Sequence, residues 1–167
     1  MANRVFARES WTLEAVANAA NMTDDKFLAL QGGSSTQLIN VKEVEIGGLE
    51  DATSSPVIVL LGRDSTVGAT LTNNGKDAAE HPSTAALGAP PQPFTASTTK
   101  PQRSATLGAI KNFAFNALGG IVRARAPYGE SLVTILGNTA SLGEVSLSGF
   151  TGSALADVGG HIVYEPL

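Results

Sequence analysis

Acid–base and metal chemistry need histidine, cysteine or clustered carboxylates, and this chain of 167 residues is poor in all three. It has two histidines, His81 and His161, and no cysteine. Without cysteine there are no disulfides, thiolate zinc sites or cysteine nucleophiles. His161 sits in a strand-like stretch beside Glu165, where a histidine is usually structural. His81 lies between Glu80 and Pro82, where a solvated side chain is expected. Asp64-Ser65-Thr66 shares its first two residues with an aspartic-protease triplet. That motif requires glycine at the third position so that the backbone can approach its partner, and Thr66 breaks it. Asp24-Asp25 and Glu50-Asp51 are adjacent carboxylates in turn-like sequence. Calcium wants more oxygen ligands at defined spacing, so capping and turn formation are the stronger reading. No G-x-S-x-G elbow, phosphate-cradling glycine motif or H-E-x-x-H occurs. The expectation is a protein that is not an enzyme, with no catalytic residues, no cofactor and no metal.

Composition points to the elements that remain. The length fits one domain that buries roughly 70% of its unfolded surface. Ala, Val, Leu and Ile rather than rings carry the apolar content, and charged residues make up only 16%. A helical bundle needs far more Glu and Lys on its outer faces, so an all-β, loop-rich fold is favoured. A net charge of −4 gives no electrostatic reason to bind nucleic acid or anionic lipid. Arg123 and Arg125 are the densest basic spot, and two arginines on one strand face are usually solvated or paired with carboxylates. No signal-peptide-like run opens the chain, and Val57–Leu61 falls well short of the ~20 residues of a membrane span. A soluble protein made in a cytoplasm is the expectation.

Period-two alternation marks the strands, because successive side chains leave a pleat on opposite faces. Phe113 and Phe115 alternate with Asn112, Ala114 and Asn116. Leu142, Val145 and Leu147 sit among Gly143, Glu144, Ser146 and Ser148. Ile162 and Tyr164 share one face of 161–165, with His161, Val163 and Glu165 on the other. Glycines at 119–120, 129, 137, 149, 152 and 159–160 are expected to supply turns. Residues 26–31 form a strand closed by Gly32-Gly33. Within 37–46 the inward positions change from Ile39 and Val41 to Val44 and Ile46, so the phase flips at Lys42-Glu43. A one-residue flip within a continuous strand pattern predicts a β-bulge. Val57–Leu61 is apolar on both faces, as in a strand between two packed layers. Gly62-Arg63-Asp64-Ser65-Thr66 is expected to open a loop, and 67–72 to form the next strand. Residues 10–21 fit either a helix capped by Ser10 or a strand with Leu13 inward, with strand preferred.

Residues 76–106 differ in character, with Pro82, Pro90, Pro91, Pro93 and Pro101 and a single aromatic, Phe94. Connections inside compact domains have a median near ~5 residues, so a stretch this long without periodicity needs a reason. It is either a flexible surface loop or an extended arm that orders on a neighbouring subunit, helped by proline restricting the free state. The fold expectation is therefore all-β: a β-sandwich or jelly-roll-like small barrel, with a long proline-rich arm. Residues 1–10 would be an N-terminal arm or edge strand, and 11–167 a single β domain.

Five stretches together resemble a class of small tailed-bacteriophage virion proteins, the capsid decoration or cement proteins. Leu60–Gly68 resembles their strand followed by an Arg-x-Ser-Thr-x-Gly turn. Phe115–Arg123 resembles a stretch that usually carries an aromatic shortly after the arginine, and Pro127–Glu130 a Pro-Gly-Glu turn leading into an apolar strand. Gly149–Gly152 and Gly160–Glu165 resemble their last turn and strand. The chain departs from that pattern at Ala124-Arg125-Ala126, and Tyr128 separates Pro127 from Gly129. The resemblance implies an all-β protein on the outer surface of an assembled virion head, made in the host cytoplasm. Its partners would be the major capsid protein and its own copies in a homotrimer, with no nucleic acid and no membrane. The expected partner-binding residues are Arg4, Phe6, Arg8, Pro90, Pro91, Pro93, Phe94, Arg123 and Arg125. Many weak contacts over extended segments suit such a role, and strands at 5–8 and 162–165 are expected to pair with partners by strand addition. The alternative is a receptor- or glycan-binding β-module of a phage tail structure.

Overall fold

A computed structural model describes residues 6–9, 28–48, 56–72, 78–79, 91–94, 96–99, 101–104, 106–107, 109–140, 142–149 and 158–167. All regular structure among them is β. The strands are β1 (Phe6–Glu9), β2 (Leu28–Gln31), β3 (Leu38–Gly48), β4 (Pro56–Thr66), β5 (Ala69–Thr72), β6 (Ala78–Ala79) and β7 (Gln92–Phe94). They continue as β8 (Ala96–Thr99), β9 (Gln102–Arg103), β10 (Ala109–Asn116), β11 (Ile121–Arg125), β12 (Val133–Leu136), β13 (Glu144–Gly149) and β14 (Val158–Pro166).

One sheet runs β11-β3-β14-β1-β6, with β12 also on β3. The other runs β10-β4-β13-β2-β7, with β9 also on β4, and β5 pairs β8 in a separate ribbon. Four antiparallel pairs (β1/β14, β2/β13, β3/β11 and β4/β10) are rolled so that β14 meets β3 and β13 meets β4. That is the strand order of a jelly roll, the expected fold. Its core lies between the sheets: Ile39, Val41, Val44, Ile46, Ile162 and Tyr164 from one meet Leu28, Leu30, Val59, Leu61, Phe113, Val145 and Leu147 from the other.

The bulge lies where the phase flips. Val163 of β14 pairs with Glu43, but Tyr164 pairs with Val41, so Lys42 is the extra residue. Without it, Val44 and Ile46 would point outward while Ile39 and Val41 point inward. On its other edge, β3 takes β12 below the bulge and β11 above it. Gly48 closes that end, donating its N–H to Gly120 O at 2.9 Å. A Cβ there would run into the backbone of Ala117, so only glycine fits.

Several expectations are corrected. Residues 62–66 continue β4 rather than opening a loop, because Ser146, Val145 and Arg103 pair with Gly62, Arg63 and Asp64. Gly159-Gly160 lies inside β14, where Gly159 faces Gly47, rather than in a turn. β14 is an interior strand between β3 and β1, so 162–164 has no open edge to offer a partner. β1 is likewise flanked, by β14 and by the short β6. The described parts of 76–106 are strands in sheets rather than a free arm, and Phe94 is fully buried opposite Ala29. Residues 10–21, where helix or strand stood open, lie outside the described residues.

The two outer faces differ. On the second sheet, Ala29, Gln31, Leu60, Asp64, Glu144 and Ser146 alternate with core residues, yet all are buried. This face is covered there, whereas Ile58, further along β4, is 37% exposed.

Candidate functional site

The outer face of the first sheet is built by register. Residues directly opposite in an antiparallel pair share a face. With Ile39 and Ile135 inward, Leu38 pairs with Leu136, and Leu167 donates its N–H to Leu38 O at 2.9 Å. Three leucines thus form one row across β12, β3 and the end of β14. Leu142 joins them through its carbonyl, which accepts the Leu136 N–H at 2.9 Å. All four are between 40% and 67% exposed, an unusual outlay of large apolar side chains on a covered core. The next row is polar: Thr134 Oγ1 donates to Asn40 Oδ1 at 2.6 Å, and Glu165 pairs opposite Asn40.

Beyond the bulge the face is charged. Arg123 Nη2 lies 2.6 Å from Glu43 Oε1 and its Nε 3.9 Å from Glu45 Oε2, while Arg125 Nε lies 3.5 Å from Glu43 Oε2. The hydrogen bond and charge of Glu43 raise the Arg123 pKa above its ordinary value. Lys42, re-aimed by the bulge, reaches Glu165 at 3.0 Å and donates to Glu130 O at 3.0 Å. Three cations therefore meet three carboxylates, and the ladder presents no net charge. Both arginines remain mostly solvated, with side chains 52% and 73% exposed. Exposed pairs of this kind stabilise a fold little and are free to exchange partners.

Pro127-Tyr128-Gly129-Glu130 joins β11 to β12. Glu130 N–H donates to Pro127 O at 3.0 Å, and Gly129 has φ 81°. These are the marks of a type II turn, which needs glycine at its third position. Tyr128 stands at the tip, fully exposed.

A second polar cluster is buried on the outer face of the other sheet. Ser146 Oγ donates to Asp64 Oδ1 at 2.7 Å. Gly68 N–H is shared between Glu144 Oε1 at 3.2 Å and Oε2 at 3.0 Å, and Gln31 Nε2 donates to Gly68 O at 3.4 Å. Burial first, then the Asp64 charge, push Glu144 up to about 9, against the downward pull of the Gly68 N–H bond. Sequence reasoning missed this pair. Asp64 and Glu144 belong to strands far apart in sequence and sit at outward positions, which predict solvated side chains. Alternation carries no signal for a layer laid over a polar face.

The expected partner-binding residues scatter. Arg4 and Pro90 lie outside the described residues. The backbones of Phe6 and Arg8 pair with Tyr164 and Ile162. Pro91, Pro93 and Phe94 are buried within the fold. Arg123 and Arg125 are placed on the exposed outer face of the first sheet, beyond the polar row that separates them from the leucine row, which the sequence did not single out. His161 pairs in register with Glu45 and Glu9, and among the described residues no group of three or more His, Asp or Glu is arranged to hold a metal. No known family, curated protein or solved structure matches the chain.

Proposed function

We propose that this chain is a structural virion protein that binds the outer surface of an assembled tailed-phage capsid and bridges neighbouring capsid subunits. The leucine row Leu136-Leu38-Leu167, with Leu142 beside it, carries the reading. Contiguous exposed apolar surface marks protein-binding sites, and the polar row of Thr134, Asn40 and Glu165 next to it, with the ion-paired ladder beyond, supplies the polar rim such sites have. The resemblance of Leu60–Gly68, Phe115–Arg123 and Pro127–Glu130 to capsid decoration proteins favours the major capsid protein as partner. It also favours a homotrimer as the bound form.

The test uses capsids of the phage that carries the gene, stripped of this protein. Added back, the wild-type chain co-sediments with the shells and gives density on their outer surface. Leu38→Asp with Leu136→Asp removes apolar contacts from an exposed face, so the variant folds but loses attachment by roughly tenfold or more. A chain that never associates with particles sinks the reading. Tyr128 favours a second reading, a glycan-binding module, because sugar sites present exposed aromatics on rigid supports. Glycan-array binding that Tyr128→Ala abolishes would select it instead.

A further inference from the structure

We propose that the proton shared by Asp64 and Glu144 is a latch that holds the Gly68 turn, the entry to the β5–β8 ribbon, against the second sheet and slackens as pH rises. Both carboxyls are fully buried. Glu144 is the acceptor for the Gly68 N–H, and Gln31 grips the same residue's carbonyl, so the turn is tied to β13 and β2. Ser146 fixes the Asp64 carboxylate from the same strand as Glu144. Two bare carboxylates on adjoining strands, away from water, repel strongly, and one proton between them converts the repulsion into a hydrogen bond.

The surroundings give the latch few other charges. β2 contributes neutral Gln31, and β7 contributes Gln92, Pro93 and Phe94. β5 has no ionisable residue. Arg63 of β4 is committed elsewhere, donating to Thr134 O at 2.7 Å and Leu142 O at 3.0 Å. β9 sets Arg103 opposite Asp64 in register.

The direction follows from proton counting. Closed, Glu144 keeps its proton up to about pH 9; with the turn lifted away, water reaches the carboxyl and its pKa falls back toward the ordinary 4.5, held above it by Asp64 on the paired strand. Between those values the closed state binds one proton more, so opening is favoured about tenfold per pH unit. The latch is at full strength below the ordinary value and is lost as pH rises through the raised one.

Hydrogen exchange of the Gly68 to Thr72 amides in the full chain reads this directly. Once the intrinsic pH dependence of exchange is divided out, the opening constant rises about tenfold per unit up to about pH 9 in the wild type. In Glu144→Gln, which keeps an acceptor but cannot ionise, it stays flat. A flat wild type, or an equal slope in the variant, overturns the latch. Should Glu144→Gln not fold, infrared spectra of the wild type decide. A protonated-carboxyl band present at neutral pH and lost near pH 9 upholds the proposal, and its absence at neutral pH overturns it.

Discussion

Deleting residues 78–99 abolishes cooperative folding. The segment supplies β7, the strand that completes the second sheet beside β2, and β8, the partner of β5. It also supplies β6, which pairs Phe6 and Ala7 of β1. Phe94 is fully buried against Ala29, and truncating it alone to alanine is expected to cost roughly 3–5 kcal/mol. Whole domains have only about 5–15 kcal/mol of stability, so losing Phe94, Pro91, Pro93 and three strands together exceeds what the fold can bear. Urea titration followed by circular dichroism checks this. Retention of a sharp transition at an unchanged midpoint would mean that β7 and β8 detach without consequence. Proline content argued for a free arm, but Pro93 pairs with Leu30 at the sheet's outer strand, a place where a missing N–H is tolerated.

Phe113→Ala has the next largest effect, and its contrast with Phe115→Ala is diagnostic. Phe113 is 4% exposed and enters the core from β10, opposite Val59 of β4. Its truncation removes a ring from the seam between the sheets, at roughly 3–5 kcal/mol. For a chain of this size that lowers the melting temperature by about 10 °C or more. Phe115 lies on the same face but is only partly buried at the rim, so its truncation should cost about half as much. Equal costs for the two would show that β10 does not close the sandwich as described.

What the sequence disclosed follows from what alternation encodes. The inward faces of β3, β10, β13 and β14 were legible, as was the bulge, because Ile39, Val41, Val44 and Ile46 report their own phase. Alternation says nothing about which strand lies beside which. The interior position of β14 was therefore hidden, and its Gly159-Gly160 resembled a turn. Arg63-Asp64-Ser65-Thr66 looked like a loop because its polar residues are satisfied by tertiary partners: Arg63 by carbonyls of β12 and the 142 segment, Asp64 by Ser146. Arg123 and Arg125 were visible as a pair on one face, and Glu43 and Glu45 proved to be their carboxylates. The leucine row could not be read, since Leu38, Leu136, Leu142 and Leu167 become neighbours only through strand register.

The tip of the 126–132 excursion has a use beyond the molecule's own partners. Residues 126–132 leave β3 at Lys42 and rejoin it at Val41, through Ala126 N–H to Lys42 O and Leu132 N–H to Val41 O, each 2.8 Å. Those two bonds hold the base of the excursion. Above them, the Lys42 side chain on Glu130 O is the tie that a longer excursion gives up. A foreign epitope spliced between Tyr128 and Gly129 would leave both flanking strands in place. That makes the tip the natural grafting point for displaying peptides, outward and away from the core.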